Sequence, residues 1–92
     1  EFTSAIELLE KLFAVVDHSR ALAFMFGDGI VPSNVKAGYL ARMVLRRTAL
    51  LLRDLDAQDA LSEMVSHHID TFSATYPELG ANKAHILDMV AL

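Results

Sequence analysis

Apolar side chains recur along this chain at helical spacing, and nowhere with the alternation of a strand. Ile6, Leu9, Phe13 and Val16 fall on one side of a helix, with Leu8, Leu12 and Val15 widening the stripe. Ser4-Ala5-Ile6-Glu7 has the form of a capping box, in which the hydroxyl accepts from an early backbone N–H and Glu7 reaches back. The first helix is therefore predicted to start there. Glu7 and Lys11 stand four apart and add a weakly favourable ion pair. From Ala21 to Phe26 the chain is apolar on every face, which suits an element covered by several neighbours. Gly27-Asp28-Gly29 then ends the helix, because glycine adopts the left-handed backbone of a helix C-terminus without steric cost.

A short extended link follows, Ile30-Val31-Pro32-Ser33-Asn34. Pro32 pushes Val31 out of helical geometry, and Ser33 or Asn34 is placed to cap a second helix over about residues 35–52. At 100° per residue Leu40, Val44, Leu51 and Leu55 gather on one side of it. Arg42, Arg46 and Arg53 gather within about 40° of one another on the opposite side. Asp56 or Ala57 opens a third helix, whose stripe is Leu61, Met64, Val65, His68, Ile69, Phe72 and Tyr76. Pro77 and Gly80 break it, and Asn82 caps a short last helix with Ile86, Leu87 and Val90 facing inward. The prediction is an all-α array of about four helices.

Composition narrows this picture. Ninety-two residues, 53% of them hydrophobic, make one domain or a piece of one with enough apolar surface for a core. There is no cysteine, so disulfides and thiolate metal sites are excluded. The longest apolar run, Ala21 to Phe26, is far too short to cross a bilayer, and no basic stretch precedes it as in a secretion signal. The chain opens on Glu1-Phe2 and closes on the apolar "LDMVAL". We read residues 1–92 as one helical fragment of a larger multidomain protein.

Charge changes the picture more. The chain is acidic, at −4. Between Asp28 and Asp54, however, there is no carboxylate, while five of the eight basic residues lie there: Lys36, Arg42, Arg46, Arg47 and Arg53. A merely solvated face ordinarily mixes signs. This one adjoins a turn that exposes an amide side chain and a helix N-terminus, groups suited to phosphates and base edges. Charge alone leaves two partners open, a nucleic acid or an acidic protein that would meet the basic face of a helical interaction module.

Asn34 has two readings as well. It is a sufficient N-cap. Its amide also carries a donor and an acceptor, so it can read an edge offering both. A G·U wobble pair offers such an edge in the shallow minor groove of an RNA duplex, where the guanine amino group stands free. Tyr39 is expected to pack under the helix rather than to stack on a base. The histidines, His18, His67, His68 and His85, show no ligand spacing for zinc. His67 and His68 point to different sides of one helix, and His68 sits on the apolar stripe as a hydrogen-bonded core residue. No nucleophilic triad order, Walker loop or dinucleotide glycine pattern is present.

The run "DHSRALAFMFGDGIVPSNVKAGYLARMVLRR" resembles the alanyl-tRNA synthetases, specifically the helical tRNA-recognition module that follows their class II catalytic domain. The residues that carry it are Asp17-His18, Arg20-Ala21, Asp28-Gly29, Pro32-Ser33-Asn34, Gly38-Tyr39, Arg42 and Arg46-Arg47, with wording closer to the archaeal branch. "YPELGANKAHILDMV" is similar to a later segment of the family. The resemblance covers residues 17–90, and residues 1–16 match weakly as a lead-in helix. It implies a parent ligase, cytoplasmic, that attaches alanine to its tRNA using ATP, with magnesium and with zinc in a downstream domain. It implies that this fragment holds no catalytic site and no cofactor of its own. By position, Asn34 reads the G·U pair of the acceptor stem, and Arg42 and Arg46, with Lys36 and Arg47, contact the stem backbone. The family's carboxylate partner in that reading lies beyond residue 92.

Overall fold

The stretch that is apolar on every face is the centre of the molecule. A computed structural model describes residues 2–91 as five helices: α1 (Phe2–Gly27), α2 (Lys36–Asp54), α3 (Leu61–Phe72), α4 (Pro77–Ala81) and α5 (Lys83–Ala91). No strand occurs among the described residues, and the fold is all-α as predicted. The fifth helix is the single short turn of α4. Pro77 does not end a helix but opens one, since proline at a first helical position gives up only an N–H that has no intrahelical partner anyway.

α1 and α3 each touch all four other helices. Leu22 and Phe26 from α1, Val65 and Ile69 from α3, Leu79 from α4 and Ile86 from α5 are fully buried together. Each such side chain contributes about 1.5–3 kcal/mol by leaving water. Phe24 clamps the α1–α3 seam edge-on, with ring centroids 5.5 Å from Phe72 and 5.2 Å from Tyr76.

The first half of α1 behaves differently. Ile6, Leu8, Leu9, Leu12, Phe13 and Val16 are all exposed, and of the predicted stripe only Val15 is buried. The reason is length. Twenty-six residues rise about 39 Å, whereas the remaining helices have 19 residues or fewer and settle on the C-terminal half of α1. The helix also runs straight through Ser4, so the predicted capping box does not open it. Lys11 pairs with Asp54 of α2 at 3.7 Å rather than with Glu7.

Both long helices end in the same hydrogen-bonded turn. Ile30 N–H donates to Met25 O (3.2 Å) and Gly29 N–H to Phe26 O (3.1 Å), with Gly29 at φ +90°, as the glycine pair implied. At the end of α2, Ala57 N–H donates to Leu52 O (2.8 Å) and Asp56 N–H to Arg53 O (3.0 Å). Here Asp56 takes the left-handed position, at φ +55°. Because Asp56 terminates α2 it cannot also open α3, which starts five residues later, at Leu61, instead of at Asp56 or Ala57. The Asn82 carbonyl accepts the first hydrogen bond of α5, from Ile86 N–H at 3.0 Å. Its side chain does not cap that helix but turns back to the Gly27 carbonyl at a long 3.5 Å.

Candidate nucleic-acid interface

The link before α2 is held against the helix by its own backbone. Ser33 N–H donates to Gly38 O at 3.0 Å. The Ser33 hydroxyl brackets Val35, donating to its carbonyl at 3.1 Å and accepting from its N–H at 3.4 Å. Gly38 makes this approach possible: a Cβ there would lie 2.5 Å from the Val31 carbonyl oxygen and closer still to the Ser33 hydroxyl. Neither Ser33 nor Asn34 caps α2. Its N-cap is Val35, with no side-chain cap bond, because Ser33 is engaged around Val35 and Asn34 elsewhere.

Asn34 is exposed, and its Oδ1 accepts a hydrogen bond from Arg42 Nη1, two turns into α2. Arg46, one turn further, is exposed beside Arg42, and both line one open cleft of about 640 Å³ with Pro32, Leu45, Leu61 and Val90. The structure thus brings Asn34, Arg42 and Arg46 together. Lys36, the first residue of α2 and two residues from Asn34, is exposed at φ +51°. Arg47 is exposed but lies about 140° around the helix from Arg42. Arg53 shares the stripe in projection but sits at the far end of α2 and does not line the cleft.

The stripe flanks the buried face of α2 rather than opposing it. The buried residues are Ala41, Thr48 and Leu52, with Val44, Leu45, Leu51 and Leu55 half-buried. Leu40, predicted to face the core, is 58% exposed. The hydrophobic pattern misplaced the seam because its fully buried positions are the small Ala41 and Thr48, whose hydroxyl donates to Val44 O at 2.7 Å. Small residues let helices approach, but they carry little weight in an apolar stripe. With Ala41 facing inward, Tyr39 faces out. It is 49% exposed, within about 60° of Arg42, so it does not pack under the helix.

Electrostatically, the cations divide cleanly. Lys11, Arg20 and Lys83 each pair with a carboxylate, at 3.7, 3.0 and 2.8 Å. Among the described residues, Lys36, Arg42, Arg46, Arg47 and Arg53 form no ion pair. Sequence reasoning missed Gln58 and Asp59, in the turn before α3, and Ser62, in its first turn, which also line the cleft. They lie outside the basic segment, and only the tertiary fold brings them to it.

The histidines build no second site. His68 Nε2 lies 2.9 Å from Ser19 Oγ, which donates to Val16 O at 3.0 Å, so the imidazole nitrogen serves as donor to the hydroxyl. Ser19 is fully buried. Desolvation of the half-buried ring, with His67 and Arg20 nearby, lowers the His68 pKa from its ordinary value of 6.5, keeping it neutral as a core histidine. Among the described residues no three His, Asp or Glu side chains converge as metal ligands. Among the described residues no helix is long and apolar enough to cross a membrane.

Comparison with known proteins bears on what this surface meets. The family described as "tRNA synthetases class II (A)" matches residues 2–92. An alanine–tRNA ligase of Methanosarcina acetivorans is 54% identical over 85 residues, covering 92% of this chain and 9% of the relative. That of Methanosphaera stadtmanae is 48% identical over 84 residues, covering 91% and 9%. That of Methanothermobacter thermautotrophicus is 40% identical over 92 residues, covering all of this chain and 10% of the relative. The chain therefore spans about a tenth of the length of these relatives.

Proposed function

From the chain's membership of the class II (A) tRNA synthetase family, we propose that it is the tRNA-recognition part of an alanine–tRNA ligase, and that its α2 surface receives the acceptor stem. In this reading Asn34 specifies the G·U wobble pair from the minor-groove side. Arg42 and Arg46, with Lys36 and Arg47 at the margins, neutralise phosphates of the stem. The whole ligase joins alanine to tRNA with ATP in the cytoplasm. In this reading ATP, magnesium and zinc are held by other parts of the ligase.

The observation that carries the reading is the juxtaposition at the mouth of α2. An exposed carboxamide stands at one end of a row of guanidinium groups that form no ion pair among the described residues. A protein surface built for solubility pairs its charges, as the other three cations of this chain do. A surface built for phosphate leaves them available, because each contact displaces a condensed counterion from the nucleic acid. Exposed Tyr39 beside the stripe adds a flat apolar group that an RNA backbone or base can cover.

The test is aminoacylation by the full-length ligase of stems carrying G·U or G·C at the recognised position. Asn34→Ala is expected to shrink the discrimination by about 1–3 kcal/mol. Arg46→Ala should weaken both stems alike and lower the salt slope by about one. Unchanged discrimination in Asn34→Ala refutes the reading.

A further inference from the structure

We propose that Arg42 is a positioning residue for Asn34. Its guanidinium holds the carboxamide in one orientation, with the amide N–H groups rather than the carbonyl turned toward the RNA. This goes beyond the role of a phosphate contact and rests on the reading of Asn34 given above.

The inference begins with the chemistry of the contact. A guanidinium has donors only, so the amide end that meets Arg42 must be the oxygen; the reverse orientation would set donor against donor. The observed partners are Arg42 Nη1 and Asn34 Oδ1. The Asn34 carbonyl is therefore engaged within the protein, and Nδ2 is the end left to meet a ligand. On the minor-groove edge of a wobble pair an N–H seeks an acceptor, such as the uracil O2. The guanine amino group, itself a donor, falls to some other acceptor.

Freedom at Asn34 is otherwise confined to its side chain. The backbone beneath it is pinned by Ser33 N–H to Gly38 O and by the Ser33 hydroxyl around Val35. The Asn34 side chain is exposed and has no other hydrogen-bond partner among the described residues. Without Arg42 the carboxamide would rotate through several rotamers and both flips, and ordering it on the RNA would cost binding free energy. Arg46 carries the same charge one turn away but makes no such contact. Two arginines of one stripe should therefore behave differently.

The full-length ligase separates them. We would measure kcat/KM on G·U and G·C stems for Arg42→Met, Arg46→Met, Asn34→Ala, Asn34→Asp and the double variant Asn34→Ala/Arg42→Met. Arg42→Met should lower the G·U over G·C ratio about tenfold or more, approaching Asn34→Ala, and Arg42→Lys should recover part of it. The double variant should discriminate no worse than Asn34→Ala alone, because both changes disable one device. Asn34→Asp keeps an acceptor for Arg42 but has no N–H, so it should lose discrimination as fully as alanine does. Arg46→Met should slow both stems equally. The inference falls if Arg42→Met behaves like Arg46→Met while Asn34→Ala still collapses the ratio, if the double variant is additive, or if Asn34→Asp keeps its discrimination. An unchanged ratio in Asn34→Ala sinks the underlying reading instead, and this proposal with it.

Discussion

Replacing Gly38 with alanine tests how the turn before α2 is built. In an exposed helix, glycine to alanine ordinarily stabilises by about 1 kcal/mol, because alanine has less backbone freedom to lose. At Gly38 the added methyl would meet the Ser33 hydroxyl and, 2.5 Å away, the Val31 carbonyl oxygen. The hydroxyl can swing aside by giving up its bonds to Val35. The carbonyl is backbone, and moving it lifts the whole link from α2 and breaks the 3.0 Å bond from Ser33 N–H to Gly38 O. That bond is worth about 1 kcal/mol, and forcing a methyl into an occupied space costs about 1–3 kcal/mol more. Set against the gain in helix propensity, the net effect is a loss of about 1–3 kcal/mol. Urea denaturation followed by far-UV circular dichroism measures it directly. On the proposed function, the same substitution in the full-length ligase should also reduce G·U discrimination, since Asn34 rides on the displaced link. An increase in stability of about 1 kcal/mol, the ordinary helix result, would refute the close approach on which the site depends.

Two further substitutions probe the frame around the site. Asp56→Gly should raise the denaturation midpoint, with a gain of about 0.5–1 kcal/mol, because Asp56 holds φ +55° at the end of α2 and glycine adopts that geometry freely; a lower midpoint would mean that the aspartate side chain contributes more than its backbone costs. His68 predicts a pH dependence. Its folded-state pKa lies below the unfolded value of 6.5, so between those two values the unfolded chain binds more protons. Stability should be full above pH 6.5, fall as pH drops through that window and level off beneath it. His68→Gln should flatten this part of the curve, and an unchanged slope would refute the assignment.

Much of this molecule is legible in short stretches of its sequence. The all-α class follows from periodicity, and the left-handed end of α1 from Gly29. The basic segment stands out because 25 residues pass between Asp28 and Asp54 without a carboxylate. The candidate residues Asn34, Arg42 and Arg46 are exposed, with Arg42 bonded to Asn34 and lining one cleft with Arg46. Caps were less legible. Ser33 and Asn34 both have the chemistry of an N-cap, but a side chain can satisfy only one geometry, and other partners claimed them. The start of α3 was misplaced for a related reason, since Asp56 serves equally as a helix start and as a helix end.

Sequence alone determined what depends on neighbours a few residues away: helical period, the glycine end of α1 and the clustering of basic charge. Tertiary structure decided which faces are covered. Most of the predicted apolar stripe of α1 stays in water because the other helices pack against its C-terminal half, and the α2 seam runs through Ala41 and Thr48 because small side chains admit a close helix. It also joined Asn34 to Arg42, eight residues apart, a contact that exists only once the link folds back onto α2. Local propensity is an average over many possible surroundings, whereas burial and partner choice belong to the one arrangement in which all five helices fit together.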